Sequence, residues 1–248
     1  MRPKPTIICI TTLLALCLGA GSAPAKERTI SGKFQGRRTE GNFQKKINRK
    51  PGEFKKKTTW QTERGEGRRE AERNWNKENR SGNYRSATTT AGGKTFSREG
   101  TVTGTAPGTY TQQGTLTGPR GKTSTVDRTS VRKDDGTRSV DTTYTGPGGK
   151  TLDSEKTISY QDGARTVEGG YNTGTGKSGT FNSRSEVEDG RLRTTRELTN
   201  QDGKTWRQNT ELYREDSTLI REVTNTRPNG ESTTFEQSMT VEEIEVNP

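Results

Sequence analysis

Positively charged and aromatic side chains are interleaved in the N-terminal part of the chain. Cationic groups neutralise phosphates or sulfates, and aromatic rings stack on bases or sugars. The pattern predicts a polyanion-binding segment for extracellular DNA, lipopolysaccharide or an acidic polysaccharide. A partly disordered, solvated leader or a set of early strands with charged faces is the open alternative. The predicted binding residues are Lys45, Lys46, Arg49, Lys50, Lys55, Lys56, Lys57, Trp60, Arg68, Arg69 and Trp75.

Residue types that support catalysis are scarce. The chain has no histidine, and its two cysteines are Cys9 and Cys17. Residues 174–178 (Gly-Thr-Gly-Lys-Ser) resemble the end of a phosphate-binding loop, but the required earlier glycine is Tyr171. Aspartates that could form an acidic series occupy turn positions, which explains them without catalysis; they are Asp135, Asp162, Asp189, Asp202 and Asp216. We therefore expect a non-enzymatic protein with no cofactor and no metal site.

Glycine-containing turns recur along the chain at a nearly constant interval. One series is separated by 27 or 28 residues and comprises Gly93, Gly121, Gly149, Gly176, Gly203 and Gly230. A second series falls midway and comprises Gly108, Gly136, Gly163, Gly190 and Ser217. Such self-similarity is typical of repeat architectures. Since Asp-Gly and Asn-Gly favour tight hairpins, each interval predicts one extended strand.

Large apolar residues occupy alternate positions between these turns, as Val140 and Tyr144 do. Side chains alternate faces along a strand, so one face of the sheet is apolar. The fold class predicted is all-β, an antiparallel up-and-down meander of about 10–14 strands with one weakly apolar face. Because only 22% of residues are hydrophobic, this face must be shielded. The sheet could curl on itself, form two layers or pair with a second copy, and its open edges predict self-association.

Residues 1–25 have the features of a secretory signal peptide. Arg2 and Lys4 precede an apolar run over residues 6–18, and Ala23-Pro24-Ala25 supplies a cleavage site. This predicts export to the periplasm or surface of a bacterium, with no membrane-spanning segment left after cleavage. We divide the rest into residues 26–90, basic and either partly disordered or early strands, and a β-repeat domain over residues 91–248.

Charge is distributed unevenly between these two parts. Residues 26–90 contain 19 Lys and Arg against 8 Glu, whereas residues 91–248 contain 21 basic and 23 acidic residues. The same alternate positions that hold apolar groups also hold cations, including Arg128, Lys156 and Arg196. A barrel that spans a membrane is therefore disfavoured, because these charges would lie in hydrocarbon.

The repeat units resemble those of uncharacterised secreted bacterial proteins with Thr-Gly-Pro-x-Gly-Lys-Thr repeats. The resemblance rests on residues 117–123 and 145–151 and covers roughly residues 92–235. Residues 189–192 (Asp-Gly-Arg-Leu) bear a distant likeness to Rhs/YD repeats, which have tyrosine where this chain has Glu188. These resemblances imply no catalytic residue. The function expected is a structural or adhesive surface or periplasmic element, with polyanion binding as the alternative.

Overall fold

The computed structural model describes residues 27–37 and 39–247, so the predicted signal peptide lies outside the described residues. Tight turns connect sixteen strands in this part of the chain: β1 (Glu27–Gly36), β2 (Thr39–Lys50), β3 (Glu53–Thr62), β4 (Gly65–Asn76), β5 (Ser81–Thr89), β6 (Thr95–Ala106), β7 (Thr109–Thr117), β8 (Thr123–Arg132), β9 (Arg138–Thr145), β10 (Thr151–Gln161), β11 (Ala164–Thr173), β12 (Ser178–Glu188), β13 (Arg191–Asn200), β14 (Thr205–Glu215), β15 (Thr218–Thr226) and β16 (Ser232–Asn247).

Each strand pairs antiparallel with the next, and β16 returns to pair with β1, which closes the sheet into a barrel. The predicted up-and-down meander is confirmed. There are more strands than the 10–14 expected, because residues 27–89 contribute β1 to β5 to the same sheet. Of the three ways to shield the apolar face, the chain adopts the first, because the sheet curls on itself until its two end strands pair.

Closure corrects the prediction of two open sheet edges. The outermost strands are hydrogen-bonded to each other, with Phe34 of β1 opposite Met239 of β16 and Ile30 opposite Ile244. The backbone groups that would template edge-to-edge association are therefore occupied along this seam. A bulge between Ser31 and Gly32 adjusts the register there.

Two kinds of turn connect the strands of the repeat. At the Gly-Lys turns the loop is longer, and the Gly121 N–H donates to the Gly118 carbonyl at 3.0 Å. At the shorter turns, such as Asp162-Gly163, two residues connect the strands, with φ of 50° at Asp162 and 73° at Gly163. Successive positive φ angles match the right-handed twist of a hairpin. The Asp135-Gly136 turn has the longer form. The regular glycine spacing thus reflects a backbone requirement at each end of the barrel.

Replacing Gly163 by alanine should destabilise the fold, because an L-residue in left-handed backbone geometry costs roughly 1–2 kcal/mol. Gly148 is the matched control, since its φ lies outside that region and a Cβ there meets nothing within 4 Å. We expect a lower melting temperature, followed by circular dichroism, for Gly163→Ala and an unchanged or higher one for Gly148→Ala. Equal melting temperatures would contradict the turn assignment.

The core is a band of apolar side chains on the inward face, concentrated at the seam where the barrel closes. Buried residues there form one cluster of Ile30, Phe34, Phe43, Ile47, Leu212, Leu219 and Met239. The band joins β14, β15 and β16 to β1 and β2, the two ends of the sheet. Burial of these side chains therefore stabilises closure directly.

The barrel is too wide for side chains to fill it. Sixteen strands about 4.8 Å apart, tilted by roughly 40° from the barrel axis, give a perimeter of roughly 100 Å and hence a diameter of roughly 32 Å for a circular section. Barrels of this strand number leave an open channel, unlike those of eight strands. Leu198 and Trp206 lie on the inward face yet remain 41% and 40% exposed. Among the residues that the structure describes, none forms a helix long and apolar enough to cross a membrane.

Candidate anion-binding site

Strand pairing assigns every strand residue to one of the two faces, because directly opposed residues in an antiparallel pair point to the same side. Val167 is buried and faces inward. Ser183 lies opposite Val167, and Arg196 lies opposite Ser183. Arg165, two positions before Val167 on the same strand, also faces inward. Cations of the repeat region therefore share the face of the apolar core.

In the strands that the structure describes, the inward face carries many cations and no paired carboxylate. Within the described strands, every Asp or Glu that has a pairing partner lies on the outward face, and the others occupy turns or the β16 bulge. The inward cationic residues are Arg28, Lys45, Arg49, Lys56, Arg69, Arg73, Arg98, Arg128, Arg132, Arg138, Lys156, Arg165, Arg196, Arg214 and Arg221. Charge is thus sorted between the two sides of one thin wall.

Ion pairs between strands lie on the outward face, for example Arg191 with Glu211 at 3.1 Å. The inward arginines Arg128 and Arg221 instead bond to neutral groups. Arg221 donates to the Gln237 amide oxygen at 2.9 Å. Arg128 donates to the Thr142 hydroxyl at 3.2 Å. Such partners satisfy hydrogen bonds without cancelling charge, so the interior keeps a positive potential.

The pKa values of two inward lysines reflect burial and the concentration of positive charge on the inner face. Burial lowers the pKa of Lys156, and the positive charges of Arg128 and Arg165 lower it further. Burial and Arg69 lower the pKa of Lys56 in the same way. The interior therefore disfavours its own protonated lysines, and a bound anion would relieve that penalty.

Replacing Lys156 by methionine should raise the melting temperature of the unliganded protein. A lowered pKa in the folded state means that the unfolded chain binds the proton more tightly, so stability rises with pH in the window between the lowered pKa and 10.5. We expect the Lys156→Met variant to be more stable than the parent at neutral pH. When the pH is raised into the alkaline range, the stability of the variant should rise less than that of the parent. Its control is Lys57→Met, because outward Lys57 pairs with Glu70 at 3.5 Å. Scanning calorimetry at low salt measures both, and a lower melting temperature for Lys156→Met would contradict the account.

The structure divides the residues that the sequence predicted for polyanion binding between the two faces. Six face inward: Lys45, Arg49, Lys56, Trp60, Arg69 and Trp75. Five face outward: Lys46, Lys50, Lys55, Lys57 and Arg68. These residues therefore do not form one surface. Outward Lys55 also contacts Glu53 and Glu72, which reduces its availability to a polyanion.

Sequence reasoning did not assign binding roles to the inward cations of the repeat region, Arg128, Lys156, Arg165, Arg196 and Arg221. Over residues 91–248 as a whole, the basic residues are slightly outnumbered by acidic ones, so a charge count along the chain does not reveal these cations. The available signal was their position, since they share alternate strand positions with Val140 and Val167.

A cavity of about 720 Å³ lies over β10 to β15 and brings several of these cations together with aromatic groups. Its inward lining includes Lys156, Arg165, Val167, Phe181, Ser183, Arg196, Leu198, Trp206, Gln208 and Asn225. Cations, ring faces and amides in one concave site are suited to an anionic ligand with polar substituents.

No family model, curated protein or solved structure that was compared with the chain matches it. The resemblance to secreted repeat proteins therefore stays a prediction.

Proposed function

We propose that the protein is a non-enzymatic binding protein that holds an anionic polymer against the inner face of its barrel. The observation that supports this most is the segregation of charge: cations line the interior, and the strand carboxylates lie outside. A cationic concave surface raises the local concentration of anions. When its cations neutralise the charges of a bound polymer, the counterions of that polymer are released, which favours binding.

A polymer fits this surface better than a small anion does. Inward cations occur on strands from β1 to β15, so one phosphate or carboxylate would neutralise only a few of them. An interior roughly 32 Å across at the backbone, narrowed by side chains, admits an extended chain more readily than a globular partner. The predicted alternative, polyanion binding, thereby extends from the N-terminal segment to the whole inner wall.

The structural or adhesive role predicted from the sequence stays a prediction. Pairing of β1 with β16 removes the free edges through which strand addition would have proceeded. Export of the protein rests on the predicted signal peptide and is part of the proposal.

Titration of the full chain with inorganic polyphosphate at increasing salt tests the proposed function. Removing residues 26–90 is a poor test, because it would delete β1 to β5 and open the barrel. We expect binding at low salt. The logarithm of the affinity should fall linearly with the logarithm of the salt concentration, with a slope of about −0.7 for each cation engaged. Absence of binding at low salt, or an affinity independent of salt, would overturn the proposal.

A further inference from the structure

One row of inward residues in the cavity forms an apolar strip. Strand pairing places Phe181 opposite Leu198 and Leu198 opposite Trp206, on β12, β13 and β14. Phe181 and Trp206 are therefore two strand spacings apart, roughly 10 Å. These three residues occupy one row along the inner wall, here called the ledge, and Leu198 and Trp206 are both substantially exposed.

The Phe181 ring lies against the wall because its neighbour on β11 is a glycine. Gly169 lies opposite Phe181, and a methyl group there would be 2.7 Å from the Phe181 Cζ atom. Only a residue without a Cβ leaves room for the ring at this position. The Lys156 Cβ atom would be 2.8 Å from the same methyl group, so the lysine borders the ring.

Within the described strands, four other inward aromatic rings have a cation over them. The Arg98 guanidinium lies 5.0 Å from the ring centre of Tyr84, and Arg49 lies 5.4 Å from that of Phe54. Among the cation–ring contacts of the described residues, none involves Phe181 or Trp206. Trp206, which is 40% exposed, therefore remains available to a ligand.

Charged and polar groups border the ledge on the next row. Arg196 lies two positions from Leu198 on the same strand and pairs with Gln208, whose amide oxygen is 3.4 Å from its guanidinium. Gln208 bonds in turn to Asn225 at 2.9 Å. A guanidinium recognises a carboxylate or sulfate, and neighbouring amides can exchange hydrogen bonds with hydroxyl groups.

We infer that this ledge is a subsite for an acidic oligosaccharide, whose successive sugar rings pack their apolar faces along Phe181, Leu198 and Trp206. Carboxylates or sulfates of these sugars would bind Arg196 and Lys156, and their hydroxyls would bind the amides. The aliphatic Leu198 between two rings, with amides alongside, suits the C–H face and hydroxyl edge of a sugar better than a stack of bases. The inference rests on the proposed function and names the class of polymer that the interior holds.

The test compares three ligands on the full chain by calorimetry: a galacturonate oligosaccharide, its methyl ester and inorganic polyphosphate. We expect the acid to bind and the uncharged ester to bind at least about 10-fold more weakly. Trp206→Ala should weaken oligosaccharide binding by about 10-fold and leave polyphosphate binding unchanged, because stacking serves the ring and not the charge. Trp206→Phe should restore most of the affinity, and Tyr213→Ala, which removes an outward ring on the same strand β14, should have little effect.

The outcomes separate the subsite from the proposed function. Polyphosphate binding without galacturonate binding, or equal losses for both ligands in Trp206→Ala, would overturn the saccharide subsite and leave the proposed function standing. Binding of oligothymidylate that depends on Trp206, with no binding of galacturonate, would overturn the saccharide in favour of single-stranded nucleic acid. If no anionic polymer binds, both proposals fail.

Discussion

Replacing Arg165, Arg196 and Arg221 together by glutamine is expected to weaken polyphosphate binding by about 10²-fold or more. Hydrogen bonds that involve a charged group contribute roughly 1.5–3 kcal/mol each, and solvent in the lumen reduces that figure. These arginines lie on β11, β13 and β15 and face the lumen. Losing three cations should also make the slope of log affinity against log salt concentration shallower by about 2. Calorimetric titrations at several salt concentrations give both quantities.

The matched control removes the same charge from the other side of the same wall. Arg184, Arg193 and Arg207 lie on β12, β13 and β14, face outward and contact glutamates there. Their replacement by glutamine changes the net charge equally and should leave affinity within about threefold, since surface pairs contribute little. Equal losses in the two variants would show that binding follows net charge and not the inner face.

Replacing Phe34 by alanine should be the most damaging single change to stability. Phe34 is 7% exposed and belongs to the buried cluster at the β1–β16 seam, opposite Met239. Truncating a buried phenylalanine costs roughly 3–5 kcal/mol. In a chain of this size we expect a melting temperature lower by about 10 °C. Hydrogen exchange should show the earliest opening in β1 and β16, because the seam depends on contacts between the ends of the sheet.

Tyr160→Ala is the control for this substitution, since the Tyr160 side chain faces inward but is 69% exposed. Its effect on stability should be within about 0.5 kcal/mol. A comparable loss in the two variants would mean that the seam is not the place where burial stabilises the barrel.

The strand meander could be predicted because its determinants are local. Turn chemistry at residues such as Asp162 and Gly163 sets where each strand ends, and alternation sets which face is apolar. The early strands were harder to predict because their turns lack the repeat signature. Arg80, for example, has a φ of 50° at a turn where no glycine marks it.

Closure and charge sorting could not be predicted from the same signals. Pairing of Phe34 with Met239 joins residues at opposite ends of the chain, and no local pattern encodes that contact. Charge sorting was present in the sequence but was hidden when charges were summed by segment. Adjacent residues such as Asn182 and Ser183 point to opposite sides, so a running total averages two environments of opposite charge.

Asn182 and Ser183, neighbours that point to opposite sides of the wall, provide the most direct test of whether the inner face is cationic and binds anions. Ser183 faces inward opposite Arg196, whereas Asn182 faces outward opposite Glu168 and Glu197. In a full chain with Cys9 and Cys17 replaced by serine, Ser183→Cys and Asn182→Cys would be labelled with anionic and cationic methanethiosulfonates of similar size. We predict that Ser183→Cys reacts faster with the anionic reagent, that Asn182→Cys reacts faster with the cationic one, and that polyphosphate protects only Ser183→Cys. The same reagent preference at both positions, with no selective protection, would contradict the account.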